Sequence, residues 1–149
     1  MIDNHAVLDQ IIVGRVTPHI YAFTTNSVPS YLKVGDTYRP VATRLREWER
    51  HFPGLNKEYE IPATVNDNVY FRDFAVHRFL EESRKRLRLA PDVLPNGVYY
   101  SREFFKDANI DDVKDAIHDI RHDFDRNSGR YHFYDALSQL PQPFHFERG

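Results

Sequence analysis

The 149-residue chain contains no cysteine, one methionine and one tryptophan. Without thiols it can form neither disulfides nor thiolate zinc sites, and nothing speaks for secretion. It also lacks an excess of charge of one sign: 20 Lys+Arg against 22 Asp+Glu leave a formal net charge of −2. Nucleic-acid binding therefore has to rest on local positive patches rather than on global basicity. Asp3, Asn4 and His5 precede only a short apolar stretch, so neither a signal peptide nor a membrane span is expected. The default expectation is a soluble, cytoplasmic protein of about one domain.

Against these absences stands a clear pattern of elements. Residues 4–13 read as a short helix, capped by Asp3 or Asn4 and closed by Gly14, within an N-terminal segment 1–18. Ile20, Ala22 and Thr24 alternate with Tyr21 and Phe23, the period of a strand. After a turn through residues 26–30, a second run from Tyr31 to Val34 stops at Gly35. That glycine permits a positive φ or the close approach of another backbone, and either leaves Lys33 near the rim of a small sheet. Thr37 to Phe52 predicts a helix: Pro40 suits its first turn, and Val41, Leu45, Trp48 and Phe52 make its apolar stripe. Arg44 points toward the end where Lys33 emerges, while Arg46 and Arg50 decorate the exposed side.

A third strand is expected between Leu55 and Val65, with Pro62 marking an edge or a bulge. A helix follows from about Val69 to Leu87, capped from residues 66–68, with Val69, Val76, Leu80 and Leu87 inward and Phe71, Phe74 and Phe79 widening its apolar side. It ends in a basic run, Arg84, Lys85, Arg86 and Arg88, that serves either the helix dipole or phosphate contact. Breakers at Pro91, Pro95 and Gly97 precede a strand-like stretch from Val98 to Phe105. Asn109 caps a last helix with Ile110, Val113, Ile117, Ile120 and Phe124 inward. Its Asp111, Asp112, Asp115, Asp119 and Asp123 are expected on a solvated outer face turned away from any DNA. Residues 126–149 read as a tail or as the start of a linker to a further domain.

Asp73 and His77 lie one turn apart at the margin of the apolar stripe. A carboxylate there costs several kcal/mol unless it is hydrogen-bonded, paired or metal-bound. Either a cation uses Asp73, or it pairs with Arg44 or His77 for structure alone.

Together these stretches resemble the GIY-YIG nuclease superfamily, which joins two strands by a short turn and follows them with a helix bearing an essential arginine. Residues His19-Ile20-Tyr21 stand for the first motif and Lys33-Val34-Gly35 for the second. The Lys version of the second motif is similar to a branch typified by a bacteriophage open reading frame, as are Thr37, Arg44-Leu45 and the Arg102-Glu103-Phe104-Phe105 stretch. This chain departs from that branch at His19, where a glycine leads the motif, at Asp73, where a glutamate stands four residues before the histidine, and at Phe104, where a tryptophan stands. The resemblance spans Tyr21 to Phe105.

The resemblance implies an α+β fold, a small three-stranded antiparallel sheet flanked by helices, over 19–125. It implies a metal-dependent endonuclease hydrolysing phosphodiester bonds in DNA. Tyr21 would be the general base, Lys33 its activator, Arg44 the phosphate clamp and Asp73 the single ligand of a Mg²⁺ or other divalent ion. A phenol titrates at about pH 10 and is a poor base alone, so the neighbouring ammonium or a bound ion is needed to favour its ionised form. Thr37, Arg46, Arg50, His77, Arg84 and Lys85 are candidate nucleic-acid contacts, and Glu103 is a candidate second acid. Two other readings stand beside this one: a nucleic-acid-binding module that does not cut, and a protein-interaction module whose many aromatics fill a core and a partner surface.

Overall fold

A computed structural model of the chain describes residues 17–90 and 101–135. The expected N-terminal helix, the loop with its three breakers and the stretch beyond Asp135 lie outside the described residues. Strand β1 (His19–Thr24) pairs antiparallel with β2 (Tyr31–Thr37), and helix α1 (Val41–Glu49) follows. Then come β3 (Asn56–Pro62), β4 (Val69–Tyr70) and helix α2 (Asp73–Glu82). A 3₁₀ turn (Ser101–Glu103) leads into β5 (Phe104–Lys106), helix α3 (Ile110–Arg126) and β6 (Tyr134–Asp135). The main sheet is antiparallel, in the order β3-β1-β2-β5, and β4 with β6 makes a separate two-stranded ribbon.

The strand alternation divides the core into two. Ile20, Ala22, Leu32, Val34 and Phe105 face α2 and α3, meeting Val76, Leu80, Val113, Ile117 and Ile120. Tyr21, Phe23 and Phe104 face α1, meeting Val41, Trp48 and Phe52. A sheet covered on both faces buries consecutive residues, so β1 and β2 are enclosed through four positions in a row. α3 begins at Asn109, whose side chain accepts the Asp112 N–H while the Asp112 carboxylate accepts the Asn109 N–H, and ends at Asn127 in the left-handed region. No helix among the described residues is long and apolar enough to cross a membrane.

Four expectations are corrected. The main sheet has four strands rather than three. The extra one, β5, takes up only the end of the strand-like stretch expected from Val98: Ser101–Glu103 forms a 3₁₀ turn, and the strand is three residues long and buries both Phe104 and Phe105. The helix expected from Val69 begins only at Asp73, because Val69 and Tyr70 pair with Asp135 and Tyr134, and it ends at Glu82, leaving Leu87 exposed. Pro40 precedes α1 as its N-cap rather than lying in its first turn. The acidic side of α3 is only partly solvated: Asp112 and Asp123 are buried, and Arg84 and Arg86 pair with Asp112. Beyond α3, Tyr131 is buried in the α2–α3 core and its hydroxyl donates to Asp119 at 2.6 Å.

Candidate active site

The register between β1 and β2 places Tyr21 opposite Gly35 and Phe23 opposite Lys33. Odd-numbered residues of both strands face α1, so Tyr21 and Lys33 share that side, and Gly35 leaves room between them. The Lys33 ammonium donates to Tyr21 Oη at 3.1 Å, and Trp48 Nε1 on α1 donates to the same oxygen at 2.7 Å. The ammonium also sits 4.0 Å from the Trp48 ring centroid and is bonded to Glu103. Lys33 is fully buried; aromatic faces, a phenol oxygen and one carboxylate replace the water that its charge has given up.

Arg44 approaches from the rim. Its guanidinium lies 4.6 Å from the Trp48 ring centroid, on the indole that reaches Tyr21, and Nη1 donates to Glu47 at 2.9 Å. Burial disfavours its charged form, but Tyr21 and Glu47 outweigh that effect and hold its pKa above the ordinary value. Glu47 in turn accepts two bonds from Arg39, each 2.7 Å, which with Arg44 bring its pKa down to about 2. Arg44 and Glu103 are the open members of the cluster, each about 27 % exposed in its side chain.

Asp73 enters from the other side of the sheet, at an edge. β5 pairs only with residues 31–33 of β2, so the next part of β2 has no strand beyond it on that side. The start of α2 fills this position. His77 Nε2 donates to the Val34 carbonyl at 2.7 Å, and Asp36 accepts the Asp73 N–H at 2.9 Å together with two bonds from Arg72. Among the described residues the Asp73 carboxylate accepts no hydrogen bond, and His77 Nε2 is 3.9 Å from it. Burial, reinforced by the charges of Asp36 and Glu103 and only partly relieved by Arg72 and Lys33, pushes its pKa up to about 8. Burial pulls His77 down to about 4, so its ring is neutral at pH 7.

A carboxylate that is 5 % exposed, accepts no hydrogen bond among the described residues and feels Asp36 and Glu103 as well as Arg72 and Lys33 is chemically suited to a divalent cation. No group of three or more His, Asp or Glu side chains among the described residues is arranged to hold one. An ion at Asp73 would have to take water for its remaining ligands, as magnesium does.

The structure thus brings Tyr21, Lys33 and Arg44 into one contiguous cluster, with Asp73 in electrostatic reach of Lys33. The candidate nucleic-acid contacts are scattered. Thr37 is buried and accepts the Arg39 N–H; Arg46 bonds to Thr43 on its own helix, and Arg50 follows α1 on the exposed side. Arg84 is taken up by Asp112 and Asp115 on α3, and Lys85 is an exposed turn residue with φ of 58°. Trp48, Asp36, Arg72 and Glu47 take part in the site without having been singled out for it. Trp48 reads as a core residue from helical spacing, and only its indole N–H, which a buried site must satisfy, pointed further. No protein-family model, curated protein or solved structure matches the chain.

Proposed function

We propose that the domain is a metal-dependent endonuclease that hydrolyses phosphodiester bonds in DNA, built on a GIY-YIG-like fold. One observation carries this reading: a phenol held by an ammonium and an indole N–H, with a guanidinium on the same indole and, at the adjoining sheet edge, a carboxylate that accepts no hydrogen bond among the described residues. These are the parts that phosphodiester hydrolysis needs.

In this reading the phosphate enters over the rim of Arg44 and Glu103. Arg44 offers N–H groups to a non-bridging oxygen and keeps its charge there. The Tyr21 oxygen, as phenolate, takes the proton of the attacking water; Lys33 and Trp48 donate to that oxygen and so stabilise its negative charge before the step. Lys33 remains an ammonium, with Glu103 holding it in place. Asp73 would hold a magnesium ion, which supplies positive charge against the charge developing on the phosphate. His77, bonded to the backbone of β2, fixes the helix that carries Asp73.

A second reading, a nucleic-acid-binding module that does not cut, is favoured by one feature: Tyr21 is 1 % exposed and its oxygen already has two donors. Incubation of supercoiled plasmid with Mg²⁺ separates the two. Nicking that is absent in Tyr21→Phe and Asp73→Ala supports hydrolysis. A gel shift that survives both substitutions, with no nicking by the parent protein, supports binding alone.

A further inference from the structure

Among the described residues only Phe74 and Leu87 are large apolar side chains left exposed, Phe74 at 66 %. Single exposed apolar residues are ordinary. Phe74 differs in its surroundings. It follows Asp73 in the first turn of α2 and forms part of the wall between two clefts.

The first cleft, of about 300 Å³, runs to the rim of the candidate active site and is lined by Glu103 and His77 together with Arg88 and Arg102. The second, of about 120 Å³, lies toward the ribbon formed by β4 and β6; it is lined by Arg72, Arg78 and Arg130 with His132 and Tyr134, and by no carboxylate. The Arg72 guanidinium stands 6.0 Å from the Phe74 ring centroid. Arg78 borders both clefts; it donates to the Arg130 carbonyl and pairs with Glu82 in an exposed ion pair, an interaction weak enough for a phosphate to displace. Arg72 is held by Asp36, Arg130 by Asp119 and Glu82, and Arg88 by Glu81 of the first cleft.

An aromatic face between guanidinium groups is the chemistry that holds single-stranded nucleic acid: arginines follow the backbone and the ring takes a base. Bases inside a duplex are already stacked and offer no free face. We infer that Phe74 stacks against an unpaired base beside the scissile phosphate, so that the site acts on nucleic acid with at least one unstacked base, such as a single strand or a flap. The inference rests on the nuclease reading for the position of the phosphate, but base stacking itself does not depend on cleavage.

The test uses the full chain with three DNAs of one sequence: a single strand, a duplex, and a duplex with a flap. Cleavage is followed with Mg²⁺, and binding is followed separately in Asp73→Asn through the fluorescence of 2-aminopurine placed at the unpaired position. The unpaired substrates should be cut at least about tenfold faster than the duplex, matching one stacked base. Phe74→Ala should bring that ratio close to one and abolish the quenching of 2-aminopurine, while Phe74→Trp restores both. Thermal unfolding of each variant checks that the exposed position leaves the fold intact. Equal cleavage of all three DNAs, or a ratio and quenching unchanged in Phe74→Ala, overturns the inference and leaves the nuclease reading standing. Quenching that depends on Phe74 without any cleavage retains the stacking site and removes the nuclease reading. Neither binding nor cleavage of any of the three overturns both.

Discussion

Gly35 lies directly against Tyr21: a Cβ built on residue 35 would come within 2.6 Å of Tyr21 Oη and 2.8 Å of Lys33 Nζ. The glycine is therefore required by the pair of functional groups opposite it rather than by its own backbone angles. Gly35→Ala should force the phenol and the ammonium apart, costing about 1–3 kcal/mol of stability as overpacking does. If the nuclease reading holds, the loss of cleavage should exceed what that destabilisation explains, as comparing rates well below the unfolding midpoint would reveal.

Tyr21→Phe removes the oxygen to which Lys33 and Trp48 both donate. Two buried donors then lose an acceptor, and denaturant unfolding should register a loss of about 1–3 kcal/mol. Removal of a general base should lower the cleavage rate by at least about 10². Unchanged cleavage in this variant, with the protein folded, would end the assignment of Tyr21.

Stability should depend on pH in a way set by Asp73 and His77. Asp73 holds its proton more tightly folded, at about 8, than in the unfolded chain, at 3.8, so its contribution makes stability fall as pH rises between those values. His77 acts oppositely: at about 4 folded against 6.5 unfolded, its contribution makes stability rise with pH over that range. The two offset one another below 6.5. Between 6.5 and about 8 Asp73 acts without that offset. Metal-free protein should therefore lose stability across this window relative to Asp73→Asn, and a parallel pH dependence of the two proteins would refute the assignment. Stabilisation by Mg²⁺, which needs the ionised carboxylate, should grow over the same window.

Arg84 is an exposed residue whose guanidinium is taken up by Asp112 and Asp115 of α3. Asp112 accepts from Asn109 at the α3 cap and pairs with Arg84 and Arg86. Asp112→Ala should cost about 2–4 kcal/mol, combining a lost cap with two arginines left without their buried partner. Arg84→Ala should leave the salt dependence of any DNA binding as it is in the parent, measurable as the slope of log affinity against log salt.

What could be read in the sequence was local. The β1–β2 pair declares itself by alternation and by its turn, and the start of α3 by Asn109, whereas the reciprocal bond to Asp112, expected on the outer face, did not. The start of α2 could not be read, because Val69 and Tyr70 fit a helical stripe until their partners at Tyr134 and Asp135 are known. β5 was legible as part of a strand-like stretch but not as a member of the main sheet, because its pairing with Tyr31–Lys33 is long-range and its two phenylalanines face opposite cores. In the candidate site, Tyr21, Lys33 and Arg44 fell within one short stretch and their proximity was legible. The link between Trp48 and the Tyr21 oxygen was not, since spacing shows which face a residue takes but not what its polar atom meets.

The late start of β5, after the 3₁₀ turn at Ser101–Glu103, has a consequence for how such a domain can be altered. Had β5 begun a few residues earlier, beside Gly35 and Asp36, its backbone would have claimed the Val34 carbonyl that His77 now uses, and the start of α2 would have lost that polar anchor on the sheet. An engineered or naturally lengthened strand at that point would leave a sounder sheet and would free His77 from the backbone that holds it beside Asp73. Under the nuclease reading, an incomplete edge is the opening into which the acid is fitted.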